Sequence, residues 1–367
     1  VWLGYGSCIG ISRLCYYSDS MELKFASKLN LKDDRKLINI PGTRVIASKD
    51  QLILSSGVVS LDSLIGGGLQ IGSILLIEED EFGVFSKYLT KYFLAEGLVN
   101  KHCLFIGSLD CDVQQLTHEL PCPVDYSDTS QSHSGESSDE LKIAWRYQNQ
   151  PIVQSAPSTS TTVFGHNFDL TKPYPRDALE DAEIAYWSNA DSEDPYADLL
   201  QELWTRIHKQ GHSTQAAQPR RTALRVALHR LGSPLWPQAE QRLPQFLHSL
   251  RRLIQSAHAT ALVTLPTELL KSKTVALCEH LCDNIIRLQS LANDPSPIFK
   301  EYSGLLTVIK LATTNTLTSH IPETQDWAFK LRKRKFVIDK LHLPPELQES
   351  TQREQDETSA LSCSRST

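Results

Sequence analysis

Residues 57–98 constrain this chain more than any other stretch. A glycine triplet, Gly66–Gly68, leads to Gly72-Ser73, then to four apolar residues, Ile74–Ile77, and then to four acids, Glu78–Glu81. An apolar run so short, bounded by glycine and by charge, predicts a strand buried on both faces. Beyond the acids, Phe85, Tyr88, Leu89, Tyr92, Ala95 and Val99 recur at helical spacing. Strand, tight turn and helix in that order open a mainly parallel sheet covered by helices, because a parallel partner needs a crossover.

Further apolar runs predict strands at Cys103–Ile106, Lys142–Trp145, Leu224–Leu228, Ala259–Leu265, Ile285–Leu288 and Leu305–Leu311. Phe246, Leu250, Leu253 and Ile254 form a second helical stripe. The later strands follow one another without long helices, which predicts antiparallel edge strands. With 40% apolar and 22% charged residues the chain should fold as a soluble globular protein. It has no run of about 18 apolar residues, so no membrane contact is expected. A net charge of −6 excludes a general nucleic-acid coat and confines any RNA contact to a local patch.

Composition divides the chain. Residues 1–40 are expected to be a flexible or non-native extension, since residues 1–20 precede the only methionine, Met21. A single domain is expected over 41–345, with flexible insertions near 123–140 and 149–163 and a polar tail at 346–367. The eight cysteines include no CxxC pair, which points to free thiols and not to a zinc site.

The order Leu61, Asp62, Leu64, Gly66–Gly68 and Ile74–Ile77 resembles the opening of RecA-like ATPase domains. There the next residues would read GxxxxGK[ST], with glycines that admit phosphate to the backbone amides and a lysine that neutralises it. The matching octet is Glu79, Asp80, Glu81, Phe82, Gly83, Val84, Phe85 and Ser86. Glu79 and Val84 stand at the glycine positions, Phe85 at the lysine, and only Ser86 keeps its type. A carboxylate about 6 Å from a phosphate charge costs about 3 kcal/mol at an effective dielectric of about 20. The second ATPase element, an apolar strand ending in aspartate, would be Leu224–Leu228, which ends in His229 and Arg230. The expectation is a degenerate phosphate loop that binds no triphosphate, with no catalytic residue, metal or cofactor.

Longer segments carry a more specific resemblance: SLDSLIGGGLQIGSILLIEED (60–80), YLTKYFLAEGLVN (88–100), KIAWRYQ (142–148), FGHNFD (164–169), LGSPLW (231–236), LPTELL (265–270) and FKLRKRKFVIDKLHLPPEL (329–347). Together they make the chain, from about Gly42 to Leu347, closely similar to the family of fourth subunits of the Elongator complex. The resemblance implies a RecA-like fold without working Walker motifs. It implies a non-catalytic subunit of a hetero-hexameric ring with the fifth and sixth Elongator subunits, alongside the catalytic subcomplex. It also implies tRNA binding in support of wobble-uridine modification at position 34, in cytoplasm and nucleus. The alternative is a divergent ATPase that regulates tRNA release from a composite site at a subunit boundary. The segment GSLDCD (107–112) is less charged than its counterpart in the family.

Two basic groups are candidates for tRNA or partner contact. Arg220, Arg221 and Arg225 follow a polar loop, and Arg side chains suit phosphates and unpaired bases. Lys330, Arg332, Lys333, Arg334 and Lys335 fall within eight residues. Alternation with Phe329 and Leu331 also fits a solvated strand edge, and a nuclear transport signal is a third possibility. The aromatics of Trp145-Arg146-Tyr147 and Pro234-Leu235-Trp236 are expected to be core or interface anchors.

Overall fold

Short strands buried on both faces need a layer of helices on each side, and this chain supplies both layers. The structure is a computed structural model, and it describes residues 40–46, 51–124, 164–189, 192–216, 219–294, 296, 299–313, 320–322, 324 and 326–341. The strands are β1 (Thr43–Ile46), β2 (Gln51–Leu54), β3 (Leu69–Gln70), β4 (Ile74–Glu78), β5 (Cys103–Gly107), β6 (Pro121–Pro123), β7 (Phe168–Pro173), β8 (Ile184–Trp187), β9 (Leu224–Leu228), β10 (Ala259–Leu265), β11 (Asn284–Ser290), β12 (Gly304–Lys310), β13 (Trp327–Leu331) and β14 (Phe336–Lys340). The helices are α1 (Val59–Leu64), α2 (Val84–Val99), α3 (Val113–His118), α4 (Arg176–Glu180), α5 (Pro195–Lys209), α6 (Ala239–Gln255) and α7 (Ser272–Leu281).

Nine strands form one sheet in the order β14-β13-β12-β11-β4-β10-β9-β5-β8. From β11 to β8 every neighbouring pair is parallel, and β11 to β14 pair antiparallel. This is the expected mainly parallel sheet flanked by helices, with antiparallel edge strands. The period of two sorts the side chains between two cores. Leu75 and Ile77 of β4 pack in one core with Leu61 of α1 and Leu89 and Phe93 of α2. Ile74 and Leu76 pack in the other with Leu203 of α5, Leu250 of α6 and Cys278 of α7. Trp236 is a core anchor: it is buried, stacked on Trp187 at 5.5 Å and tilted against Tyr196 at 4.8 Å.

The parallel edge strand β8 and the two small antiparallel sheets, β1-β2-β3 and β6-β7, do not stand out in the apolar pattern. They are short and mix buried with exposed positions. The fold also takes in Ile40, which is buried beside Leu54 and Ala223. The strand expected at Lys142–Trp145 lies outside the described residues, as do nearly all of 123–140, all of 149–163 and the tail 346–367.

Arg225 corrects one expectation. As the second residue of β9 it points into the core beneath α2 and is 0% exposed, so it is not available to tRNA. Its Nη1 donates to the carbonyls of Ser55 at 2.9 Å and Phe93 at 3.0 Å, and its Nε donates to Nδ1 of His102 at 3.0 Å. The guanidinium lies over the Phe93 ring at 4.8 Å. Burial lowers Arg225 to about 10 and, together with the neighbouring guanidinium, holds His102 down at about 3. A neutral His102 accepts at Nδ1 and so donates from Nε2 to the Pro41 carbonyl at 2.7 Å. Gly97 of α2 leaves the space: a Cβ there would sit 2.6 Å from Leu104 Cδ2 and 2.8 Å from Arg225 Cδ. Arg225→Ala strands two buried carbonyls and opens a cavity. It is expected to lower the unfolding free energy by about 3–5 kcal/mol, read from urea denaturation.

Asp62 lies in the same polar interior and accepts from Ser55 Oγ at 2.5 Å and Ser56 N at 2.7 Å. Burial pushes its carboxyl up from 3.8 to about 7. The folded chain thus holds this proton more tightly than the unfolded chain, and stability from this group falls as pH rises through that window. The stability of wild type relative to Asp62→Asn should fall by about 3 kcal/mol between pH 5 and pH 8. Paired urea titrations at the two pH values check this.

Candidate functional site

Open α/β sheets place their sites beyond the carboxyl ends of the strands, where neighbouring connections diverge. Here that place is the turn between β4 and α2, with the ends of β9 and β10 beside it. The turn reverses at Gly83, whose φ of +66° suits glycine. Asp80 then fills the start of α2. Its Oδ2 accepts from Val84 N at 3.2 Å and its Oδ1 from Phe85 N at 3.0 Å. These amides lie at the positive end of the helix, where a phosphate-binding turn would hold its anion.

Glu79 folds back under the turn, almost fully buried. Its Oε1 accepts from Thr264 Oγ1 at 2.6 Å, and its Oε2 lies 3.3 Å from Arg230 Nε. A Cβ at Gly83 would sit 2.8 Å from that Oε2. Burial raises the Glu79 carboxyl, and Thr264 and Arg230 oppose the rise. His229, beside Thr264, is held down at about 3 by burial and by Arg230, so it is neutral near pH 7. Glu78 is also buried. Burial pushes it up to about 7 against the pull of Arg287, whose Nε is 2.5 Å from Oε2.

The other octet residues follow from helix geometry. Phe85 turns inward onto Phe329, with ring centroids 4.7 Å apart. Ser86 is buried and donates to the Gly83 carbonyl at 3.1 Å. Glu81, Phe82 and Val84 face solvent, Phe82 at 62% exposure. A cleft of about 400 Å³ beside the turn is lined by Phe82, Lys87, Tyr88, Lys91, Asp110 and Arg230. Its cations are largely matched within the chain, since Lys91 and Lys87 lie 2.8 and 3.5 Å from Glu119. Among the described residues no three His, Cys, Asp or Glu side chains gather as a metal site would require.

The basic candidates do not converge. Arg220 and Arg221 precede β9, at the amino ends of the parallel strands, opposite the acidic turn. Arg221 is exposed, whereas Arg220 forks onto Glu183, with Nη1 donating to Oε1 at 2.9 Å and Nη2 also paired. Arg332, Lys333 and Arg334 form the exposed hairpin between β13 and β14. Since β13 runs parallel to β4 through two antiparallel steps, this hairpin shares the edge of the acidic turn. Sequence reasoning missed Thr264, Arg230 and Arg287 as partners of Glu79 and Glu78. Thr264 and Arg230 stand at the carboxyl ends of apolar runs, and that position is the signal that could have found them.

A family model described as PAXNEB protein matches residues 36–367. The chain is 38% identical over 364 residues to Elongator complex protein 4 of Danio rerio, covering 90% of this chain and 91% of that protein. It is 35% identical over 349 residues to Elongator complex protein 4 of Xenopus laevis, with 86% and 85% covered. Among solved structures, a KaiC-like protein from Pyrococcus horikoshii OT3 has a TM-score of 0.44 and 13% identity, over 78% of this chain and 98% of that one.

Asp80→Ala removes the acceptor of two helix amides without touching the core. It should lower the unfolding free energy by about 1 kcal/mol, measured by urea denaturation, with Asp80→Asn intermediate.

Proposed function

The chain belongs to the PAXNEB protein family, and from that membership we propose that it serves as the fourth, non-catalytic subunit of an Elongator complex. In this reading it forms a hetero-hexameric RecA-like ring with the fifth and sixth subunits. The ring binds tRNA and supports modification of the wobble uridine by the catalytic subcomplex, in cytoplasm and nucleus.

The observation that carries the non-catalytic part is the bonding of Asp80. The helix amides that would receive a phosphate already hold a carboxylate of the same chain. Glu79 adds a second acid beneath the turn, and Phe85, at the lysine position, is packed on Phe329. An incoming triphosphate would have to displace Asp80 and would meet repulsion of about 3 kcal/mol from each unshielded carboxylate about 6 Å away. Architecture, not turnover, is what such a turn supports.

Titration of magnesium-ATP into the isolated chain tests this, with Ser86→Ala as comparison. No saturable heat is expected from either protein. Tight, magnesium-dependent binding lost in Ser86→Ala would favour the divergent ATPase. For tRNA, Arg221→Glu and, separately, Arg332→Glu with Arg334→Glu should weaken binding by the assembled ring. About tenfold is expected, with the salt slope reduced by about one per lost phosphate contact. Unchanged affinity and slope remove that group from the contact surface.

A further inference from the structure

A small cleft, of about 290 Å³, opens at the carboxyl end of α2, between the start of β1 and the segment that leads into β7. Gly42, Thr43, Arg44, Asn100, Phe164 and His166 line it. Its frame is built around one buried carboxylate. Glu96 of α2 accepts from His166 N at 3.1 Å and from Asn100 Nδ2 at 2.8 Å, and it lies 3.1 Å from His166 Nδ1. Gly42, at a φ of +67°, and Gly165, at +91°, let the bounding segments pass this close: a Cβ would meet Asn100 Cγ at 2.3 Å or Ser55 Oγ at 2.5 Å. His166 is thus held with Nδ1 engaged, and its Nε2 has no partner among the described residues.

The cleft presents flat groups and unmatched positive charge. Arg44 is exposed, and its guanidinium lies over the Phe164 ring at 5.8 Å. His166 is exposed as well. Lys101 follows Asn100, and His102 after it bonds the Pro41 carbonyl, which ties the cleft to the amino ends of the parallel strands. Arg221 lies on the same edge, since Cys103 N donates to the carbonyl of Ala223 at 3.0 Å. Arg44, Lys101 and Arg221 are all exposed, and among the described residues none has an ion-pair partner. Glu183, an acid at that edge, is held by Arg220. Free cations beside a stacked arginine and aromatic ring suit a polyanion that carries planar bases. An acidic peptide would use the charge and leave the flat faces idle.

We propose that this cleft takes one unpaired nucleotide of an RNA chain. Its base stacks on the open face of the Arg44 guanidinium, beside the His166 ring, and the flanking phosphates meet Lys101 and Arg221. Arginine serves here both as a plane and as a cation, which lysine does not. A cleft at the lower end of ligand-binding sizes suits one residue of a chain. The inference rests on the reading of the chain as part of a tRNA-binding ring and extends it to Arg44 and Lys101.

The probe is fluorescein-labelled hexauridylate RNA, titrated into the full chain at low salt and read by anisotropy. The comparison strand keeps the ribose-phosphate backbone and lacks the bases. Hexauridylate should bind at least about fivefold more tightly than the abasic strand. Arg44→Lys, which keeps the charge and loses the plane, should remove that preference. Lys101→Glu should weaken both strands alike by about tenfold, and Lys273→Glu on α7 should change neither. Thermal unfolding verifies that each variant folds, and Phe164→Leu substitutes if Arg44→Lys does not. Absence of binding, equal binding of the two strands, or a base preference that survives Arg44→Lys overturns the inference. Uridine monophosphate competing as well as the hexamer, mole for mole, overturns the assignment to an RNA chain. Binding of tRNA by the ring assembled with the unmodified chain tests the tRNA reading by itself.

Discussion

The amino end of α2 must find an anion. The helix starts at the carboxyl end of a fully buried strand, and its first amides have no partner within the helix. Many chains of this architecture leave that end open and let a ligand satisfy it. Here Asp80 satisfies it from four and five residues away, at 3.2 and 3.0 Å. Much of the surrounding chemistry is consistent with that choice. Glu79 is turned beneath the loop toward Thr264 and Arg230, Glu78 is held by Arg287, and the side chain of Phe85 is released to the core.

The parts of the fold legible in the sequence are those where one physical signal dominates. Ile74–Ile77 and Leu224–Leu228 sit in strands buried at every position, and burial on both faces leaves only a short unbroken run as its trace. The stripe from Phe85 to Val99 matches the length of α2, but it does not show that the helix is enclosed on every side from Tyr92 to Leu98. β8 is harder to read. Its four residues alternate in burial at the edge of the sheet, and only their pairing with β5 makes them a strand.

Arg225 shows the limit of reading charge as surface. In the sequence it stands in a basic cluster with Arg220 and Arg221. In the fold, β9 is central and covered on both faces, so Arg225 is enclosed beneath α2, and the missing side chain at Gly97 makes room for it. The pairing spans more than a hundred residues, so no local pattern announces it. The candidate site divides similarly. The identities at Glu79–Ser86 showed that the turn is acidic, but the inward fold of Glu79 and the bonding of Asp80 depend on Thr264 and on the helix dipole.

The carboxylate at the head of α2 also limits how this chain could change. Because Asp80 is tethered, it competes with any dissolved anion at a very high effective concentration. Replacing it alone leaves two helix amides without their acceptor, and adding a lysine at position 85 alone would remove an aromatic ring from its contact with Phe329. Phosphate chemistry at this turn would need several substitutions at once, each harmful in isolation. The turn is thus locked by its own side chains against single changes.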